Sequence, residues 1–408
     1  MEKVRYGVIG IKGIGRAHIQ AAQANEQIDL VALVDVDETE VVQVAGELGI
    51  GAFTGYRHLL DAGIVDAVSI AVPHHLHYPI GLDFLKAGVH VFMEKPFAIR
   101  VSEADAMLAV AQKNKLKIAV GHQYRTHRSS QIVKRLIDSG TIGATLRVLW
   151  MWGEFRPESY YHRDIWRRTF QYAGGGVLMN QTSHDVDLIC WLMGKPVQVS
   201  AMVGNHLHEA EIEDIVCANV LFESGAMGSL QFTITHPRGY SIRQIQGDKG
   251  IIVMPEVESL TYDQDEEILV GTYEGSLTEM VTELKGIVDQ PAISWRSYGL
   301  KQDQVQEKIA ARILRRLGVV KRPHNWQSNA KPVNGFAVIM NSFIDAICSG
   351  GEPLVTGKSA RSAIELINAM YLSAMRKKTV DLPLNSHEYD ALYEELVKGR
   401  LQVPRFRS

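Results

Sequence analysis

Over its first 125 residues the chain alternates short apolar runs with stretches of helical length, and that alternation leaves few folds open. Tyr6–Ile9, Leu30–Val36, Ala67–Ala71, Val89–Met93 and Ile118–Gly121 read as strands. Ala17–Ala24, Glu38–Leu48, Tyr78–Ala87 and Ser102–Lys113 read as the helices between them. The run from Leu30 is β-branched and apolar up to Asp35, which suits a strand buried on both faces. Strands separated by helices of this length build βαβ units, hence a parallel, doubly wound sheet with right-handed crossovers. Ligands of such sheets lie beyond the carboxyl ends of the strands.

Beyond Arg125 the texture changes. Residues 131–139 read as a helix and 144–152 as a strand, and the glycines 174–176 open a helix over Leu178–Met193. Val197–Val203, Ile215–Phe222, Gly228–Thr235 and Ile242–Gln246 are strand-like runs broken by turn residues, as in an open, mainly antiparallel sheet. Helices over Gly335–Ser349 and Lys358–Lys377 would cover one face of it. Residues 255–330 are polar and irregular, with a basic helical piece near Gln304–Leu317, and take no assigned role.

Composition narrows the function classes. With 408 residues the chain has material for two domains, or three at the outside, and needs neither disulfides nor a structural metal. A formal net charge of -3 without blocks of like charge disfavours a nucleic-acid partner. Cys190, Cys217 and Cys348 are odd in number and far apart, which fits a reducing, cytoplasmic setting. The start MEKVRYGVIG runs straight into a strand with no signal-peptide pattern, and no apolar run reaches the roughly 18 residues of a membrane helix.

The first strand ends in Gly10-Ile11-Lys12-Gly13-Ile14-Gly15, and Asp35 closes the second strand 20 residues past Gly15. In a dinucleotide fingerprint one glycine makes the tight turn, one admits the pyrophosphate and one lets helix and strand pack closely. The helix N-terminus then offers N–H donors to phosphate. A terminal acid such as Asp35 receives the ribose hydroxyls and repels a 2′-phosphate, so NAD is expected over NADP. Lys12, in a glycine position, could pair with the pyrophosphate, or offset Asp35 and admit NADP.

Three further segments extend this reading: Val72-Pro73-His74-His75-Leu76-His77, Met93-Glu94-Lys95-Pro96, and Gly174 through His184 to Asp187. Together with Arg16-Ala17-His18 they resemble the Gfo/Idh/MocA oxidoreductases, relatives of glucose–fructose oxidoreductase and inositol 2-dehydrogenase. The resemblance covers about residues 1–250 and resumes over 335–384. It implies an α/β protein with a Rossmann domain (1–124), a substrate-binding and oligomerising α/β domain (125–384) and a C-terminal tail (385–408). It also implies hydride exchange between NAD and a carbinol of a sugar, glycoside or cyclic polyol, and a homodimer or homotetramer. Lys95 matches the family's lysine, His184 its catalytic histidine, Asn180 stands where many members carry aspartate, and Trp166-Arg167 resembles a pair near the cofactor.

Elementary chemistry supports the same roles. Oxidising a carbinol needs a proton acceptor, and His184 has the imidazole for it. Lys95 can stabilise the alkoxide. On one helix, Asn180 and His184 would share a face. Pro73, His77 and Glu94 are further expected cofactor contacts. His122, Tyr124, Arg125 and Tyr161 are candidate substrate contacts, with Arg125 equally suited to an interdomain ion pair and Tyr160 a neighbour in the same loop. The histidines at 74, 75 and 77 lack matching ligands, so no metal is expected. Competing readings are a glycosidase that oxidises its ring transiently, a non-catalytic dinucleotide sensor and a metal hydrolase.

Overall fold

The structure is a computed structural model that describes residues 3–236, 241–254, 268–282, 292–298 and 335–406. The basic segment Gln304–Leu317 lies outside the described residues. Six parallel strands form the first sheet: β1 (Val4–Ile9), β2 (Ile28–Val34), β3 (Gly51–Phe53), β4 (Ala67–Ile70), β5 (His90–Met93) and β6 (Ile118–Val120). Their order is β3-β2-β1-β4-β5-β6, so the chain changes direction between β1 and β4. That reversal opens a crevice at the carboxyl ends of these two strands. The sequence pattern passes over β3, whose three residues are too few to show a period.

A second sheet contains β7 (Thr145–Gly153), β8 (Pro196–Gly204), β9 (Ile215–Phe222), β10 (Met227–Thr233), β11 (Ile242–Gly247), β12 (Gly250–Met254), β13 (Ile268–Tyr273), β14 (Ile293–Tyr298) and β15 (Val380–Asp381). The order is β14-β13-β12-β11-β7-β10-β9-β8-β15, antiparallel throughout except for the β7/β10 pair. Along β9 and β11 every second residue is buried, the signature of a sheet with one covered face. Helix Gly357–Arg376 lies over that face along β8, Asp185 of helix Ser183–Met193 reaches it at Trp150 and Arg243, and Met202 and Met227 project from the other.

The two sheets share helices. Helix Gly335–Ser349 returns to the first sheet, where Phe336 packs 5.3 Å from His18 and Phe343 5.9 Å from Phe92, ring to ring. In helix Gly357–Arg376, Asn368 accepts the Val101 N–H and donates to the Ile99 carbonyl. Residues expected as a tail include a helix, Ser386–Val397, whose Tyr393 hydroxyl donates to the Phe170 carbonyl. Among the described residues no helix is long and apolar enough to cross a membrane.

One expected helix is broken. Val177–Gln181 forms a π-helical turn, and the α-helix restarts only at Ser183. Thr182 makes the break by returning both its N–H and its hydroxyl to the Val177 carbonyl. Asn180 and His184 are therefore not i and i+4 of one α-helix, contrary to the spacing argument.

Candidate active site

The glycine turn stands at the β1/β4 crevice. Gly10 has φ +84, and a side chain there would meet the Ala71 carbonyl oxygen at 2.2 Å. A Cβ on Gly15 would lie 1.9 Å from the Gly10 carbonyl oxygen, so only glycine lets the helix start this close to the strand. Gly13, at φ +54, differs: nothing lies within 4 Å of its Cβ direction. The turn thus offers bare backbone to open space beside the start of helix Gly15–Gln23, preceded by the half-exposed Ile14. Asp35 faces the same turn and accepts the N–H groups of Ile11 and Asp37, each at 3.0 Å. A cradle open at Gly13, flanked by a carboxylate held in place, fits a dinucleotide's pyrophosphate and ribose.

Lys12 does not join that cradle. Its ammonium bonds Asp37 at 2.6 Å and lies 3.3 Å from Glu40, and both acids raise its pKa. In this structure the Lys12 ammonium thus pairs with neither Asp35 nor the open side of the Gly13 turn. His77 is a second correction. Its ring nitrogens face the carbonyls of Pro96 (2.7 Å) and Val72 (2.9 Å), so the fully buried ring braces two loops and has no nitrogen left for a cofactor. Glu94 is a third. One oxygen pairs with His18 at 3.0 Å and the other accepts the Lys95 N–H, extending a buried chain from Tyr6 through Ser69 and His18.

Pro73 opens the short turn His74–Leu76 beside this crevice. There His74 packs edge-on to Trp166 (4.8 Å), and the Arg167 guanidinium lies over the same indole (4.5 Å). The Trp166-Arg167 pair therefore reaches the carboxyl edge of the first sheet. Arg167 also donates to the Tyr160 hydroxyl at 2.7 Å and to Asn180 Oδ1 at 3.3 Å. Asn180 and Gln181 aim their amide N–H groups at the same phenol oxygen. The Asn180 amide is thus committed to Tyr160 and Arg167, not to His184.

Because the helix is interrupted there, the Asn180 carbonyl is turned outward, and Lys95 Nζ donates to it at 2.9 Å. Burial pushes the Lys95 pKa down to about 8; Arg167 and Arg156 act in the same sense and Glu94 against it. His184 is buried and lies well below the ordinary imidazole pKa, first through desolvation and then through Lys95, His122 and His127. A neutral imidazole beside a partly desolvated ammonium gives one proton acceptor and one cationic donor. Tyr124 stacks on His184, with centroids 4.6 Å apart.

Of the other expected substrate contacts, His122 lies edge-on to His184 at 5.5 Å. Arg125 is an ion-pair partner: Nε and Nη2 bind Asp187 at 2.7 and 2.6 Å, and Nη1 bonds Ser359. Of the two roles open to Arg125, the structure shows the ion pair. Tyr161 is buried edge-on to Tyr160 and His208. Among the described residues no cluster of three or more His, Cys, Asp or Glu side chains could hold a metal ion.

At the glycines 174–176 the structure fills with protein the space a side chain would need. A Cβ on Gly175 would meet the Tyr371 hydroxyl at 1.9 Å, and one on Gly176 the Glu213 carbonyl at 2.0 Å. Glu213, unmarked by any motif, accepts the N–H groups of Gly176 and Leu178 and the Tyr371 O–H. It caps the π-helical turn that carries Asn180. Only its place in the strand-rich half could have hinted at it.

A doubly wound sheet with an open glycine cradle, whose Lys95 meets the His184 segment of a second α/β domain, defines a nicotinamide-dependent oxidoreductase. The chain belongs to the GFO/IDH/MocA oxidoreductase family: residues 4–122 match its NAD-binding Rossmann domain and residues 130–253 its C-terminal domain. It is 27% identical over 267 residues to myo-inositol 2-dehydrogenase of Thermotoga maritima, covering 63% of this chain and 77% of that protein. It is 24% identical over 404 residues to the 2,7-anhydro-N-acetylneuraminate hydratase of Mediterraneibacter gnavus, covering 94% of this chain and 97% of that one. In fold it is similar to the WlbA dehydrogenase of Bordetella pertussis, solved with NADH and UDP-GlcNAcA, with a TM-score of 0.71 and 24% identity over 94% of this chain and all of that one.

Proposed function

We propose that the protein is an NAD-dependent dehydrogenase acting on a ring carbinol of a sugar, glycoside or cyclic polyol. The observation that carries this reading is the meeting of Lys95, from the end of β5, with the Asn180–His184 segment of the second domain. Bound NAD supplies hydride acceptance or donation at its nicotinamide ring. Asp35 and the Gly13 turn would hold its ribose and pyrophosphate. His184 takes the hydroxyl proton, Lys95 stabilises the developing alkoxide, and Tyr160 and Arg167 fix the segment that presents both. With Lys12 tied to Asp37, nothing from that side chain offsets Asp35, and NAD is preferred over NADP. The free cysteines support a cytoplasmic enzyme, and the outward methionines of the second sheet support a homo-oligomer.

The test is a panel of pyranosides, aldoses and inositols with NAD or NADP, read by absorbance of the reduced nicotinamide. One or more carbinols should reduce NAD, with kcat/KM at least about tenfold higher than with NADP, or ~1.4 kcal/mol. No turnover of any panel member in either direction sinks the reading. The nearly full-length match to a 2,7-anhydro-N-acetylneuraminate hydratase is compatible with a second reading, a glycosidase in which the ring is oxidised and reduced again within one turnover. Substrate conversion without net NADH, on catalytic NAD, would select it.

A further inference from the structure

We propose that His122 is the second station of a proton relay: the proton taken up by His184 passes to His122, where the Asp187 carboxylate holds it. The inference builds on the dehydrogenase reading, but it concerns groups that can be observed without substrate. His122 follows β6 and is wholly buried, and neither of its ring nitrogens has a hydrogen-bond partner among the described residues. An imidazole left that way forfeits the bonds it makes in water, and folded proteins seldom tolerate that without a use for the group. Its ring stands edge-on to His184, with planes at 84° and centroids 5.5 Å apart. Its Nε2 lies 3.8 Å from Asp187 Oδ1. His184 Nδ1 is buried and equally without a partner.

An imidazole protonated on one nitrogen can release a proton from the other. The surrounding charges give the transfer a direction. The His184 pKa is lowered first by burial and then by Lys95, His122 and His127, with the Tyr124 ring stacked on the imidazole, and among the described residues no carboxylate joins them. Burial is the largest influence on His122 and brings its pKa down to about 4; against it Asp187 and, more weakly, Glu94 favour the charged form, while Arg125 and Lys95 oppose it. Arg125 grips Asp187 through two nitrogens and keeps that carboxylate stationary. On oxidation the O–H proton goes to His184, and the C–H hydrogen leaves with both electrons for the nicotinamide. Between the two imidazoles only a proton moves, one N–H bond breaking as another forms. Carbonyl reduction runs the same path backwards. His122 touches no reacting atom and acts through His184.

The experiment compares the wild type with His122→Asn, using a carbinol found in the panel. In the variant kcat should fall about tenfold or more with KM within about twofold, and added imidazole should restore part of the loss. Rates in H2O/D2O mixtures should give a curved proton inventory for the wild type and a straight one for the variant. An unchanged kcat, or a straight wild-type inventory, overturns the relay. Should His122→Asn fail to fold, the wild-type inventory decides alone. Substrate-free protein supplies an independent readout, since 15N imidazole resonances of His122 and His184 should titrate as a coupled pair. Independent titration refutes the relay. Coupled titration in a protein that turns over no carbinol refutes the dehydrogenase reading instead.

Discussion

At the scale of single residues, Lys95 shows most directly how the fold turns composition into chemistry. A lysine in water titrates far above neutrality; here burial and two nearby guanidinium groups bring it to about 8. It carries its charge at pH 7 and loses it as pH rises through about 8. If that charge stabilises the alkoxide, kcat/KM for oxidation falls above about pH 8. Lys95→Arg should abolish that falling limb, because a guanidinium does not titrate there. Lys95→Ala should lower kcat by on the order of 10²–10⁴. A limb that persists in the arginine variant assigns it to another group. The motif made Lys95 legible in the sequence. Its partner did not show, because the Asn180 carbonyl lies 85 positions away and is free only where a helix breaks.

Among the elements, the glycine triplet and the π-helical turn are the instructive pair. Three consecutive glycines signal that something must come close, but a ligand and the protein's own Tyr371 and Glu213 impose the same absence of a Cβ. Only the structure tells which. Glu213 has hydrogen bonds but no ion-pair partner among the described residues, and burial pushes its pKa up to about 7 from an ordinary 4.5. A carboxyl group raised in the folded state favours folding while protonated. Its contribution is complete below about pH 4.5 and is lost as pH rises through about 7, a change on the order of 3 kcal/mol. Glu213→Gln should therefore flatten stability, measured by chemical denaturation, across pH 5 to 7.5. The same decline in variant and wild type would show that other groups cause it.

For the whole molecule, the two sheets share one network of helices. The Arg125–Asp187 pair, the Asn368 bonds to residues 99 and 101, and the aromatic contacts of Phe336 and Phe343 all tie the first sheet to later chain. Interfaces this polar and this buried do not part without exposing unpaired groups. Calorimetry of the full chain should show a single cooperative transition, with calorimetric and van't Hoff enthalpies in agreement. Two resolved transitions would mean that the sheets melt independently.

The sequence by itself determined five of the six strands of the first sheet, its glycine turn and the acid at the end of β2, and it marked the lysine and histidine as candidates. Those features rest on local rules: the period of apolar residues, the spacing of a turn, the chemistry of a side chain. The tertiary structure alone decided that Lys12 turns to Asp37, that His77 and Glu94 serve the scaffold, that Arg125 binds Asp187 and that Asn180 answers to Tyr160. A charged or polar side chain carries several donors or acceptors and takes whichever partner folding brings within 3 Å. That partner is commonly tens of residues distant, where no local pattern reaches.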